Sequence, residues 1–195
     1  MRSADWSSRR DRFRQLHESG LFVMPNPWDI GSARILASMG FPAIATTSLG
    51  HAASLGKVDQ SVTRDELVAH VAAISRAVDL PLNVDAERCF ADDLDGVAET
   101  VSLLAEAGAA GCSIEDYDPA KGAIDDVAVA AERVAAAAEA AHRHGMLLTG
   151  RAENALYGID DIEDTVARLR AYRDAGADVV YAPRLTKAED IRRIV

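Results

Sequence analysis

In the segment Pro81–Glu87, PLNVDAE, polar and apolar residues alternate. Asn83, Asp85 and Glu87 fall on one side of an extended chain, and Leu82, Val84 and Ala86 on the other. Met146–Glu153, MLLTGRAE, repeats the pattern with Thr149, Arg151 and Glu153 opposite Leu148, Gly150 and Ala152, and Gly111–Asp116, GCSIED, sets Ser113 and Glu115 against Cys112 and Ile114. If these are parallel strands whose outer face is covered by helices, the polar sets turn inward. Neighbouring strands then aim several carboxylates and one guanidinium at a common point. Carboxylates crowded away from water repel one another unless they bind a cation or hold protons. A divalent ion resolves the conflict. The candidate ligands are oxygen donors, and no Cys or His cluster has zinc spacing, so Mg²⁺, or Mn²⁺ in its place, is the expected ion. Arg151 would offer a planar fork to a substrate carboxylate or phosphoryl group beside it. The alternative is an internal ion-pair network of Asp85, Glu87, Glu115 and Arg151 that merely fills space, although the interior layers of barrels are normally Val, Ile or Leu.

The elements that must position these side chains follow from periodicity. Strands are predicted at Leu21–Asn26, Ala43–Ser48, Pro81–Glu87, Gly111–Asp116, Met146–Glu153 and Val179–Leu185. Helices are predicted near Trp28–Ser38, Arg64–Val78, Asp93–Ala107, Val127–His144 and Ile162–Ala175, with Gly40, Gly108, Gly145 and Gly176 just past the last turns. A shorter helix, Ser7–Ser19, precedes the first strand and is expected to plug or flank the sheet. No Gly-rich phosphate loop follows the first strand, where MPNPWDIGSA stands, so a closed barrel is favoured over a doubly wound dinucleotide fold. The expected architecture is an α/β (β/α)₈ TIM-type barrel in a single domain spanning 1–195. A full barrel takes about 250 residues. About six β/α units are counted here, so the expectation is that the 195 residues belong to a longer chain.

Charge and composition narrow the partners. Against 31 acidic residues stand 21 basic ones, a formal net charge of −10, so phosphate backbones and anionic lipid are poor partners. Two cysteines cannot build a disulfide framework, the opening Met1–Arg14 is polar and basic, and no run approaches the roughly 18 apolar residues of a membrane helix. A reducing, cytoplasmic setting is expected, with no nucleic acid and no membrane.

The segments NPWDIGSA, ATTSLG, NVDAE, SIED, GRAEN and AGADVVYAP, in this order between Leu21 and Leu185, resemble the isocitrate lyase and phosphoenolpyruvate mutase superfamily. The resemblance implies a (β/α)₈ barrel, a homodimer or homotetramer, Mg²⁺ and small 2-oxo or 2-hydroxy carboxylates as substrates. It also implies that Asp85 ligates the metal directly while Asp59, Glu87 and Glu115 hold it through water. By the same resemblance Thr47, Ser48 and Leu49 bind the substrate carboxylate and Arg151 binds substrate. Such a site cleaves a carbon–carbon bond beside a carbonyl through an enolate, with oxaloacetate decarboxylation as one form. The alternatives are phosphonate mutase or hydrolase chemistry, and a non-catalytic barrel that binds a metal carboxylate.

The sequence departs from the family where subtypes are decided. The loop after SIED reads EDYDPAKGAIDD, without the Lys-Lys/Arg-Cys-Gly-His run of the family's lyases or the Asn of its mutases. The family's Gly-Tyr-Gly turn is replaced by Arg88-Cys89-Phe90-Ala91, which makes Cys89 a candidate acid at the barrel mouth and an inert loop thiol its alternative. His51 is a candidate proton shuttle or a solvated loop histidine. Asn154 and Tyr181 are candidates to meet the substrate, and Asn26 and Asp29 to shape the pocket floor. Lys121 and Gly122 fall in a loop resembling a gating lid. Cys112 is expected in the core and His142 and His144 to serve a helix end, while Glu163, Asp164, Arg168 and Arg170 are expected as solvated pairs.

Overall fold

Five parallel strands, β1 (Ile44–Ala45), β2 (Leu82–Asp85), β3 (Gly111–Glu115), β6 (Leu147–Arg151) and β7 (Val179–Tyr181), lie side by side in the order β1-β2-β3-β6-β7. A short antiparallel hairpin of β4 (Tyr117–Asp118) and β5 (Ala123–Ile124) stands apart from them. This is a computed structural model that describes residues 6–195; residues 1–5 of the polar opening lie outside the described residues. Helices α2 (Ile30–Ser38), α4 (Arg64–Ala77), α5 (Leu94–Ala107), α6 (Val127–Arg143) and α7 (Ile162–Asp174) fall within a few residues of their predicted positions. To these are added α1 (Ser7–Glu18), α3 (Ser48–Ser54) and α8 (Ala188–Ile194). Among the described residues no helix is long and apolar enough to cross a membrane.

The two faces of the sheet separate as the alternation requires. Leu82, Val84, Cys112, Ile114 and Leu148 are buried in one cluster with the inner faces of the helices. Ala45, Asn83, Ser113, Thr149 and Val179, one from each strand, border a single cavity of about 470 Å³. A sheet whose two edge strands share one cavity is curled, and the architecture is part of a TIM-type barrel. At the N-terminal ends of the strands α1 closes the floor. Phe13 packs with Ala43, Ala110 and Leu147, and a Cβ on Gly111 would come within 2.7 Å of its ring. Arg10 anchors the helix by donating to the carbonyls of Ala105, Ala109 and His144.

Three expectations are corrected. Leu21–Asn26 is extended but is not a strand; its links to β1 are the Ala45 amide donating to the Pro25 carbonyl at 3.0 Å and Asn26 Nδ2 donating to the Ala45 carbonyl at 3.1 Å. Pro25 and Pro27 have no N–H to give, so no ladder can propagate. The sixth predicted strand stops at Tyr181, before Pro183 and Arg184, whose φ is 62°. Ala43–Ser48 stops at Ala45, because the chain turns at Thr47, the N-cap of α3, its hydroxyl accepting from the Gly50 amide. Six units thus reduce to five strands and one extended segment.

Phe13→Ala is expected to remove about 3 kcal/mol of stability, the usual cost of emptying a buried aromatic site. Urea unfolding of the variant against the parent measures it, and a change below about 1 kcal/mol would mean that α1 is not the floor.

Candidate functional site

At the C-terminal ends of the strands the Arg151 guanidinium is the centre. NH1 lies 2.8 Å from Asp85 Oδ1, Nε donates to Glu153 Oε1 at 2.9 Å, and NH2 is 3.5 Å from Glu115 Oε2. The register explains the meeting: Glu115 is paired with Arg151 across β3 and β6, and Asp85 with Ser113 across β2 and β3. Asp85 Oδ2 accepts from the Ser48 amide at 3.0 Å, and the Asp85 amide donates to the Thr46 hydroxyl at 2.9 Å. The start of α3 is thereby fixed to the end of β2. Tyr181 stands beside the guanidinium, 5.7 Å from ring centroid to Cζ.

Two carboxyls here are short of partners. Glu87, just past β2 with φ 49°, is buried, and its carboxyl makes no hydrogen bond or ion pair among the described residues. Burial, reinforced by the charges of Asp85 and Asp59 and opposed by Arg151, pushes it up to about 8. Glu115 is also pushed up to about 8 by burial, with Arg151 pulling down, Asp85 and Glu153 pushing up, and Gln60 Nε2 donating to Oε1 at 3.0 Å. Glu153 is raised by burial against the pull of Arg151, and its Oε2 has no partner. Among the described residues no group of three or more Asp, Glu, His or Cys side chains is disposed to hold a metal ion. The donor set still suits a hard cation: it is all oxygen, crowded, and includes a buried carboxyl, Glu87, in no ion pair among the described residues.

The structure sorts the remaining candidates. Thr47 lines the cavity with Asn26, Asp85, Arg151 and Tyr181, whereas Leu49 is largely exposed. Asp59 is exposed and accepts from the Gln60 amide, reaching Glu87 by charge rather than contact. Cys89 is not at the mouth: it is fully buried in the helix-side core, and burial pushes its thiol up to about 12. The turn that carries it holds Cys89 at φ 63° and Phe90 at φ 56°, a conformation glycine would adopt more easily. His51 is not on a solvated loop. It is buried in α3, stacked on His70 with ring centroids 3.7 Å apart, and burial lowers its pKa. Asn154 is buried and donates to Asp164 Oδ2 at 2.7 Å, and Asp29 caps α2 instead of shaping the cavity floor. Cys112 lies in the core, as expected.

Three participants escaped the sequence reading. Gln60 reaches Glu115 from a backbone at φ 62°, which nothing in DQS announces. The hairpin β4–β5 is tied down by Arg88, which donates to Asp125 at 2.8 and 3.0 Å, and by Lys121, 3.1 Å from Asp118 and 2.7 Å from Asp125. Tyr117 of the hairpin stacks on Tyr157 at 3.7 Å with the rings 6° from parallel. Asp164 and Arg168 are not a solvated pair, because Arg168 is buried.

A curled parallel sheet with acidic side chains and one guanidinium at the C-terminal strand ends defines an α/β-barrel-type site at its usual place. Residues 13–195 match the model of the phosphoenolpyruvate phosphomutase family. The chain belongs to that family, within the phosphoenolpyruvate mutase/isocitrate lyase superfamily. It is 34% identical over 198 residues to the oxaloacetate decarboxylase of Paraburkholderia xenovorans, covering 96% of this chain and 65% of that one. The crystal structure of 2,3-dimethylmalate lyase superposes with TM-score 0.88 at 30% identity, covering 95% of this chain and 65% of that one. A structure from Burkholderia cenocepacia J2315 gives TM-score 0.93 at 47% identity, covering 97% and 70%. The chain spans 57% to 69% of the length of curated relatives such as the Corynebacterium glutamicum and Mycobacterium tuberculosis proteins.

Because Glu87 and Glu115 sit near 8 in the fold and near 4.5 in an unfolded chain, the folded state keeps protons that the unfolded state releases. Their contribution is complete below about 4.5 and is lost as pH rises through about 8. In chelated solution, stability is therefore expected to fall across this window, and Glu87→Gln to flatten the fall. Denaturant titrations at several pH values test it; an unchanged slope in the variant would refute it.

Proposed function

We propose that this protein is a Mg²⁺-dependent carbon–carbon lyase, with Mn²⁺ as substitute ion, acting on a small 2-oxo or 2-hydroxy carboxylate. Oxaloacetate decarboxylation is the type reaction. The observation that carries the reading is the Arg151 guanidinium set among Asp85, Glu115 and Glu153, with the Glu87 carboxyl buried nearby and in no ion pair among the described residues. The decarboxylase and dimethylmalate lyase likenesses support the same class of chemistry.

Asp85 would hold the ion directly, and Asp59, Glu87 and Glu115 through water; an ion that keeps several waters needs no three-residue cage. When bound, Mg²⁺ supplies the positive charge that stabilises the oxyanion developing as a bond beside a carbonyl breaks. The chain does the rest. Arg151 pairs with a substrate carboxylate through its planar fork. Thr47, Ser48 and Leu49, at the start of α3, fix the direction of that carboxylate and so the scissile bond. Ser48 already lends its amide to Asp85, which ties the carboxylate-binding turn to the metal-binding side chain. The hairpin, held by Arg88 and Lys121, borders a second cavity with Gln60 and Glu87 and would be the lid that keeps water from the reaction. Arg151 is the only side chain with a fixed positive charge among the described residues lining the cavity, so a second anionic group such as a phosphonate lacks a partner there. With Cys89 sealed in the core, thiol acid catalysis from that turn is not part of the reading. A homodimer or homotetramer in the cytoplasm is the assembly and setting assigned with it.

Calorimetry with Mg²⁺ and oxalate, an enolate mimic, is expected to show oxalate binding only when Mg²⁺ is present. Asp85→Ala should weaken it by about 100-fold or more while the thermal midpoint holds. Affinity retained in Asp85→Ala, or no binding by the parent protein, would overturn the assignment. Assays with oxaloacetate, methylisocitrate, dimethylmalate and phosphonopyruvate then choose the substrate.

A further inference from the structure

On α7 the residues Asp164, Arg168 and Tyr172 recur every fourth position and so share one helix face. That face carries charge and a hydroxyl, yet it is turned inward: Arg168 is 8% exposed and Tyr172 fully buried. The helix comes close because β6 presents Gly150, where a Cβ would stand 2.8 Å from the Tyr172 Cβ. Arg168 then spends its donors on three acceptors, two on other segments and one a turn back on its own helix. NH1 reaches Asp116 Oδ2, just past β3, at 3.1 Å, and the Asp125 carbonyl, at the foot of the hairpin, at 2.7 Å. Nε reaches Asp164 Oδ2 at 2.7 Å, the same oxygen that accepts from Asn154 Nδ2 at 2.7 Å.

Each contact leads on to the mouth. Asp116 Oδ1 accepts from the Glu153 amide at 2.9 Å, and Glu153 in turn holds Arg151 Nε. The Asp116 carbonyl accepts from the Asp125 amide at 2.7 Å, and the Asp125 carboxylate receives Arg88 and Lys121. Tyr172 adds a hydroxyl donated to Asp116 Oδ2 at 2.6 Å. A guanidinium can serve acceptors in three directions from one plane, whereas an ammonium offers a single point and an alkyl chain none.

We propose that Arg168 is a positioning residue that couples the orientation of Arg151 to the seating of the β4–β5 hairpin. It touches neither the cavity nor a substrate. It holds Asp116 and Asp125 together, so that the 153–159 segment, which orients Arg151, and the hairpin, which borders a cavity with Glu87 and Gln60, are ordered by the same buried charge. The catalytic consequence rests on the lyase reading above. The coupling itself is a property of this chain and stands apart from it.

Two variants, Arg168→Met and Arg168→Lys, are compared with the parent by hydrogen–deuterium exchange and by oxalate calorimetry with Mg²⁺. Amide exchange in residues 117–125 and 153–159 is expected to rise together by about tenfold or more in Arg168→Met, while β2 and β3 amides stay protected. Oxalate affinity should fall by about 10- to 100-fold and recover in part on adding guanidinium ion. Arg168→Lys, which keeps the charge but cannot reach three acceptors, should loosen at least one of the two segments. The proposal is overturned if both segments keep parental exchange in Arg168→Lys, or if Arg168→Met loosens one alone or the whole domain equally. If the parent binds no oxalate, the lyase reading fails, and the exchange comparison still decides whether Arg168 couples the two segments.

Discussion

The structure depends on one guanidinium held among three carboxylates. Asp85, Glu115 and Glu153 come from separate segments and would repel one another in a space this dry; Arg151 lets them approach. The arrangement overcompensates in sign, with more negative charge than one arginine can neutralise. Burial, with the neighbouring carboxylates adding to it, raises the proton affinity of Glu87 and Glu115. A site with surplus buried carboxylate has a standing affinity for protons or for a divalent cation, and the two compete for the same oxygens.

Around that centre a second layer of charge sets geometry. Ser48 and Thr46 fix Asp85 from one side, and Asp116 fixes Glu153 from the other. Beneath Asp116 lie Arg168 and Tyr172, so the polar interior extends from the mouth to the inner face of α7. Burial without water makes every member of such a network dependent on its neighbours. It also explains why α7, read as a solvated charged helix, turns a charged face inward.

Much of the site was legible because the side-chain period of a strand is two. The alternation in PLNVDAE and MLLTGRAE placed Asn83, Asp85, Thr149 and Arg151 on the inner face, and these four line the cavity; Glu87 and Glu153 lie past the strand ends, where the period of two no longer holds, and do not line it. Helix stops were equally legible, since Gly108 ends α5 at φ 107° as a left-handed cap must. Strand ends were less so. Leu21–Asn26 looked like a strand by its apolar run, and the missing amides of Pro25 and Pro27 overruled it. Cys89 was misplaced because its turn lies at positive φ, which redirects the thiol from the mouth to the core.

What the linear order of residues determined was the class of fold, the inward polar face and the family, because these rest on local period and on contiguous motifs. Only the tertiary structure decided which polar groups touch. The stacking of His51 on His70, the reach of Gln60 to Glu115 and the bridging of Asp116 and Asp125 by Arg168 join residues far apart in the chain. Such pairings depend on how helices seat against the sheet, and periodicity carries no information about that distance.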